Sequence, residues 1–435
     1  MNSGDTAWML VSAALVLLMT PGLAFFYGGM VRTKSVLNML MMSIGAMGVV
    51  GVLWVLYGYS VAFGDDVGAG LLGAPNQFLG LSTLLGAHSL AGTIPTTVFV
   101  AFQAMFAIIT VALVSGAIAD RARFGPWLLF AGLWATIVYF PVAHWVFDTG
   151  SGWLVHRLGV IDFAGGTAVH INAGAAGLAL ALVLGKRAGW RRDPMKPHNL
   201  PLVMLGAGLL WFGWFGFNAG SALAANTTAG VTFVNTMVAT CTAMLAWLLV
   251  ERVRDGHATT LGAASGVVAG LVAITPACSS VTPIGAIAVG AITGALCAVA
   301  IGLKYRLGFD DSLDVVGVHL VGGLSGTVLI GFFASALAPA GVNGLFYGGG
   351  LDQLWRQALG AVTVLGYSFV LSFLLGWLVN KTVGFRLPHE AELRGIDEAE
   401  HAETAYQFGG IGGTRHREGA LHALLGKAAT EGSTT

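Results

Sequence analysis

Charge is the scarcest property of this chain. Acidic and basic residues make up 10% of 435 positions while 56% are hydrophobic, and a water-exposed surface cannot be built at that ratio. The scarcity excludes the two or three soluble domains that the length would otherwise suggest. The two signs also balance, 21 basic against 21 acidic, so no basic excess exists to grip nucleic acid or to form a polybasic membrane patch. Cysteine is nearly absent. Cys241, Cys278 and Cys297 are scattered through apolar stretches, without metal-ligand spacing and without the even count of a disulfide framework, and read as small core residues.

What is present instead is apolar length and glycine. Runs of roughly 20 apolar residues, enough to cross about 30 Å of hydrocarbon, recur from Ala7 to Asn380. The 64 glycines favour a tight bundle, because small residues let membrane helices approach where lipid supplies no hydrophobic drive for association. Hydropathy and Gly/Pro breaks divide the chain at 6–31, 36–63, 93–118, 126–147, 164–185, 200–223, 229–250, 260–277, 283–303, 314–336 and 353–380. The first run has no basic flank before it and no small-residue cleavage pattern after it, so it reads as a retained helix and not a signal peptide. The expected fold is an all-α polytopic membrane protein of eleven transmembrane helices, with membrane lipid as its solvent. Residues 1–380 form the transmembrane domain and 381–435 a tail.

Orientation follows from lysine and arginine. With the N-terminus outside, the inner connections hold Arg32, Lys34, Arg121, Arg123, Lys186, Arg187, Arg191, Arg192, Lys196, Arg252, Arg254, Lys304 and Arg306. The tail adds Lys381, Arg386, Arg394, Arg415, Arg417 and Lys427. Of the 21 basic residues only Arg157 and Arg356 fall outside, a bias that a miscounted span would scramble. The expectation is N-out, C-in.

Ionisable residues inside a span are costly and point to function. Asp162-Phe-Ala-Gly-Gly-Thr-Ala-Val-His170 enters the fifth span and Asp311-Ser-Leu-Asp-Val-Val-Gly-Val-His319 the tenth. Both read Asp, seven residues, His. A helix running from each Asp would place its histidine about 12 Å deep, near mid-membrane, and the two spans enter from opposite faces. Spans one to five and six to ten then form an inverted 5+5 repeat with a site at its interface, and span eleven is an extra helix. A lone histidine would read as a core residue bonded to a carbonyl; a matched pair argues for a polar path. Two neutral imidazoles can share a hydrogen bond and pass a proton or polar solute. No third ligand at suitable spacing accompanies them, so neither a metal nor a cofactor is expected.

Five segments are specific enough to compare with a family: Pro21 to Gly29 (PGLAFFYGG), Asp162 to His170, Trp211 to Ser221 (WFGWFGFNAGS), Thr275-Pro-Ala-Cys278, and Asp311 to His319. Over about residues 7 to 406 the chain resembles the ammonium transporter (Amt/Rh) family, on its Amt branch. The resemblance implies a homotrimer in the cytoplasmic membrane, each subunit conducting ammonium or ammonia through its own hydrophobic pore. It is not an enzyme family. By position His170 and His319 become the twin pore histidines, with Phe106 and Phe217 as stacked pore phenylalanines and Phe102 and Trp214 as further pore aromatics. The outer ammonium-binding site maps to Phe106, Phe147 and Ser221, with Asp162 supporting it. Aromatic faces and a serine oxygen suit a cation with N–H donors. At the position of Phe147 the family usually carries Trp, the stronger cation–π partner, so weaker recruitment is expected here.

After Asn380 charge returns, and up to Tyr406 the tail resembles the ordered cytoplasmic tail of Amt proteins, matching at Gly395, Asp397, His401 and Tyr406. That implies a PII-type nitrogen-signalling partner. The stretch from Gly409 onward reads as solvated. A rival reading is an Amt-like ammonium sensor with little flux; a more distant one is a membrane enzyme using the histidines with a metal or quinone.

Overall fold

A computed structural model describes residues 1–86 and 89–406; Arg415, Arg417, Lys427 and the stretch from Gly409 lie outside these. Among the described residues ten helices are long and apolar enough to cross a membrane. They are α1 (Ser3–Met30), α2 (Thr33–Phe63), α3 (Thr96–Ile118), α4 (Phe124–Phe147), α5 (Gly166–Leu184), α6 (Leu200–Gly220), α7 (Thr227–Asp255), α9 (Pro283–Leu307), α10 (Val316–Phe333) and α11 (Asp352–Thr382). A shorter apolar helix, α8 (Thr260–Ile274), stands at the eighth expected span. Phe212, Leu245, Leu249, Val253, Ile284 and Val362 are exposed on the outside of the bundle, as befits a multi-pass membrane protein whose solvent is lipid. Cys278 and Cys297 are buried free thiols, and Cys241 is half-buried.

The packing of the first five helices is repeated by the next five. α1 packs on α2 and α3 as α6 packs on α7 and α8; α2 meets α4 as α7 meets α9; α3 meets α5 as α8 meets α10. Two contacts join the halves, α1 with α6 and α5 with α10, and α11 lies along α5 and α10. Glycine makes the joining contacts possible. A Cβ on Gly206 of α6 would sit 2.3 Å from the Phe26 amide nitrogen of α1, closer than any side chain tolerates. Between α5 and α10, Gly174 faces Leu320 while Gly323 faces His170, an opposite sequence order that fixes the pair as antiparallel.

The place of each histidine along its helix differs from the spacing argument. α5 begins at Gly166 and α10 at Val316, so each histidine is in the first turn or so of its helix, not eight residues along. The cause is capping. The Asp162 carboxylate accepts the amides of Gly165 (2.8 Å), Gly166 (2.6 Å), Thr167 (2.7 Å) and Ala168 (3.3 Å), and Asp311 accepts those of Val315 (3.1 Å) and Val316 (2.7 Å). An acidic side chain taking the free amides of a helix N-terminus ends the helix there. Both histidine turns are π-helical, Gly166–Ile171 and Val316–Leu320, a geometry that recurs at functional sites.

At one end of the bundle, charges from four connections and the tail meet. Arg187, after α5, bridges Asp120 after α3 (3.1 Å) and Asp310 before α10 (2.8 Å). Burial pushes both carboxyls up, but Arg187, helped by Arg32 at Asp120 and Arg121 at Asp310, outweighs it and holds them below the usual range. The tail closes over this cluster with two short helices, α12 (His389–Arg394) and α13 (Ile396–His401). Asp397 accepts the amides of Leu37 (3.0 Å) and Asn38 (2.8 Å) at the start of α2, and Glu400 accepts that of Phe124 (2.9 Å) at the start of α4. His401 bonds Asn38 at 3.0 Å, the Tyr406 hydroxyl bonds His198 at 2.9 Å, and Gly395 lies against Lys34 with φ +144°. All four tail residues singled out from sequence therefore make docking contacts.

Candidate functional site

The antiparallel crossing of α5 and α10 brings the two imidazoles together. Their Nδ1 atoms lie 3.3 Å apart, with ring centroids 5.4 Å apart and planes 18° from parallel. A close contact between two ring nitrogens needs one donor and one acceptor, so a neutral pair holds opposite tautomers. Both rings are buried, and the His170 Nε2 has no protein partner among the described residues. One hydrogen-bonding position in the pair is thus open. Gly323 makes the approach possible: a Cβ there would sit 3.1 Å from the His170 Cβ and 2.9 Å from the Gly166 carbonyl oxygen.

From the histidines the rings continue outward. Trp214 stacks on His170 at 5.4 Å and 17°. Phe217, one turn further along α6, lies 5.3 Å from Trp214 and 6.3 Å from His170. Phe217 in turn stacks on Phe106 of α3 at 4.1 Å and 20°. Phe102 meets Phe106 edge-on at 4.9 Å, and Phe147 meets it edge-on at 6.0 Å. Phe102, Phe106, Trp214 and Phe217 are all buried. The stacked phenylalanines separate the histidines from a cavity of about 820 Å³.

That cavity is lined by Phe106, Phe147, Asp162 and Ser221, all four residues placed in the outer site by resemblance, together with Tyr59, Phe99 and Gln103. Ser221 donates its hydroxyl hydrogen to the Phe217 carbonyl at 2.8 Å, leaving oxygen lone pairs free to accept. Asp162 is different. Besides the four amides, the Thr167 hydroxyl bonds it, so its acceptor capacity is spent on shaping α5. It supports the floor of the cavity and is not available as a direct ligand.

Sequence reasoning assigned no role to Thr275, although its Thr-Pro pair stood out. Its hydroxyl accepts the Trp214 indole N–H at 2.8 Å and donates to the Leu271 carbonyl at 2.7 Å. This fixes the indole face against His170. The signal was a hydroxyl at the end of a helix that is too short, followed by proline, where a side chain is free to bond sideways. Pro276, next in the chain, packs where a Cβ on Gly166 would fall, 2.5 Å away, so the same turn seats the start of α5.

The sequence matches the model of the Ammonium Transporter Family over residues 7–406. Among relatives, an ammonium transporter of Mycobacterium tuberculosis is 66% identical over 434 residues, covering 94% of this chain and 91% of the relative. One from Bacillus subtilis is 45% identical over 411 residues, covering 94% and 99%. Among solved structures, Saccharomyces cerevisiae Mep2 superposes with a TM-score of 0.83 at 37% identity, covering 90% of this chain and 88% of that one. A structure titled Sensor Amt Protein superposes at 0.84 with 30% identity, covering 92% and 98%. With these matches running through the helices that carry the paired histidines and the phenylalanine stack, the chain belongs to the ammonium transporter family.

Proposed function

We propose that this chain carries ammonium nitrogen across the cytoplasmic membrane through a hydrophobic pore lined by His170 and His319, as one subunit of a homotrimer. The observation that carries the reading is the unbroken run of rings from cavity to histidines. Ammonium collects against Phe106, Phe147 and the Ser221 oxygen. A bare cation cannot enter the buried Phe106–Phe217 constriction without losing its hydration, a cost of many kcal/mol, whereas neutral ammonia can. Ammonium therefore gives up its proton on the cavity side, and ammonia passes to the open position on His170 and on to His319. If the proton stays outside, net transport is of ammonia; if it follows along the histidine pair, charge moves as well.

Eleven crossings, N-out and C-in, suit the charge contacts. Arg187 and Asp310 meet at one end, which needs an even number of crossings between them and agrees with the short α8 as one of four passes. The same end carries the docked tail, and on this reading it faces the cytoplasm and is where a PII-type regulator would bind. Methylammonium uptake and ammonium-evoked current in proteoliposomes test the proposal; binding with neither would sink it.

A second reading, an ammonium sensor with little flux, has one observation in its favour, the fold shared with the protein titled Sensor Amt Protein. The same flux measurement separates the two.

A further inference from the structure

The cavity above Phe106 carries two carboxylates on its wall, Asp148 and Asp162, and among the described residues no lysine, arginine or histidine. The two acids are not equivalent. Asp162 is saturated by four backbone amides and a hydroxyl. Asp148 immediately follows Phe147, caps the end of α4, and receives the Gly150 amide at 3.2 Å and the Ser151 hydroxyl. Its one ion-pair neighbour among the described residues is the His144 Nδ1 at 3.7 Å, and that nitrogen is already within 3.0 Å of the Ala62 carbonyl oxygen. The Asp148 side chain is 22% exposed. By contrast Asp66, on the other side of His144, has the Arg157 guanidinium at 3.8 Å and sits off the cavity wall.

From these contacts we infer that Asp148 is a recruitment residue for the cation, acting alongside Phe147 and Ser221. This rests on the proposed outer site at Phe106, Phe147 and Ser221 and deepens it. A carboxylate whose formal charge meets no arginine or lysine among the described residues gives the cavity a negative potential, and low-dielectric aromatic walls focus that potential inward. It stands one residue from the ring whose cation–π attraction is weaker than tryptophan's. A carboxylate also has about four lone-pair positions; the turn at Gly150 and Ser151 uses two, leaving others for N–H donors. Charge thus supplies here part of what the smaller aromatic does not.

The test uses the full chain in proteoliposomes, with ammonium-evoked current and methylammonium uptake read at low and high ionic strength. Replacing Asp148 by Asn keeps an acceptor for the Gly150 amide and removes the charge. Half-saturation should rise about three- to tenfold at low salt with little change in maximal rate. Wild-type half-saturation should rise with ionic strength, while that of D148N should be nearly flat. D148E, which restores the charge, should recover both the low half-saturation and the salt dependence. If D148N matches wild type in half-saturation and salt dependence, the inference fails. It fails equally if D148N loses maximal rate alone and D148E does not restore it, since that marks a purely structural turn residue. Absence of any ammonium-evoked flux from wild type would instead overturn the transport reading beneath it, so the two failures are distinguishable.

Discussion

The Nδ1 of His170 and the Nδ1 of His319 face each other across 3.3 Å, from helices that begin only a few residues before each ring. Two consequences follow from that contact. The rings cannot both be charged without placing two cations side by side in a buried site, and they cannot both present a hydrogen on Nδ1. The pair is therefore a single hydrogen-bonded unit whose outer nitrogen is open, and a substitution at either member should disturb both.

Phe147→Trp should tighten recruitment. The ring already meets Phe106 edge-on on the cavity wall, and an indole gains about 0.5–1 kcal/mol of cation–π attraction. Half-saturation for ammonium-evoked current should fall about two- to fivefold, with maximal current unchanged. Solid-supported-membrane electrophysiology of the two forms side by side provides the comparison, and an unchanged half-saturation would remove Phe147 from the site.

Thr275→Val should disturb conduction without touching the pore directly. The indole N–H of Trp214 loses its acceptor in a buried setting, which costs about 1–3 kcal/mol and frees the ring to turn away from His170. Methylammonium uptake should drop severalfold, and Thr275→Ser should restore it because the hydroxyl is what holds the indole. Equal rates in all three proteins would show that Trp214 is held by packing alone.

The acidic cluster beside the tail should give a two-signed pH dependence of thermal stability. Burial pushes the Asp311 carboxyl up to about 6, with Lys304 opposing and Asp314 adding to it. Its folded value lies above the unfolded 3.8, so its ionisation works against folding above about pH 6, and that cost fades as pH falls toward 3.8. Asp120 and Asp310 are held below their ordinary value; their contribution is present above about pH 4 and is lost as pH falls through the depressed values. Unfolding temperature in detergent should hold or rise slightly from pH 7 to 5, then fall steeply below 4. Asp311→Asn, which keeps only one of the two oxygens that accept the Val315 and Val316 amides, should remove the upper part of this profile.

Much of this was legible in the sequence because it rests on periodicity and expense. Runs of apolar residues locate the helices within a few residues, and ionisable residues within apolar runs find His170 and His319. The place of the histidines along their helices was not legible, since Asp162 and Asp311 look from spacing like residues inside their helices when they are caps in front of them. Nor was the role of Thr275, because a hydroxyl bonding sideways to an indole leaves no pattern along the chain. The resemblance implies that Asp162 supports the outer site, and the amides converging on its oxygens give the physical reason, since they use its acceptors to cap α5. In the tail, Asp397, His401 and Tyr406 were recognisable as a group, but not that Asp397 and Glu400 cap α2 and α4 from below.

The most direct test of the central claim is ammonium-evoked current and methylammonium uptake by His170→Ala and His319→Ala proteins reconstituted at equal density with wild type. Both readouts should fall by an order of magnitude or more in each variant, with half-saturation at the outer site little changed, since Phe106, Phe147 and Ser221 remain in place. Uptake and current equal to wild type in either variant would contradict a path through the histidine pair.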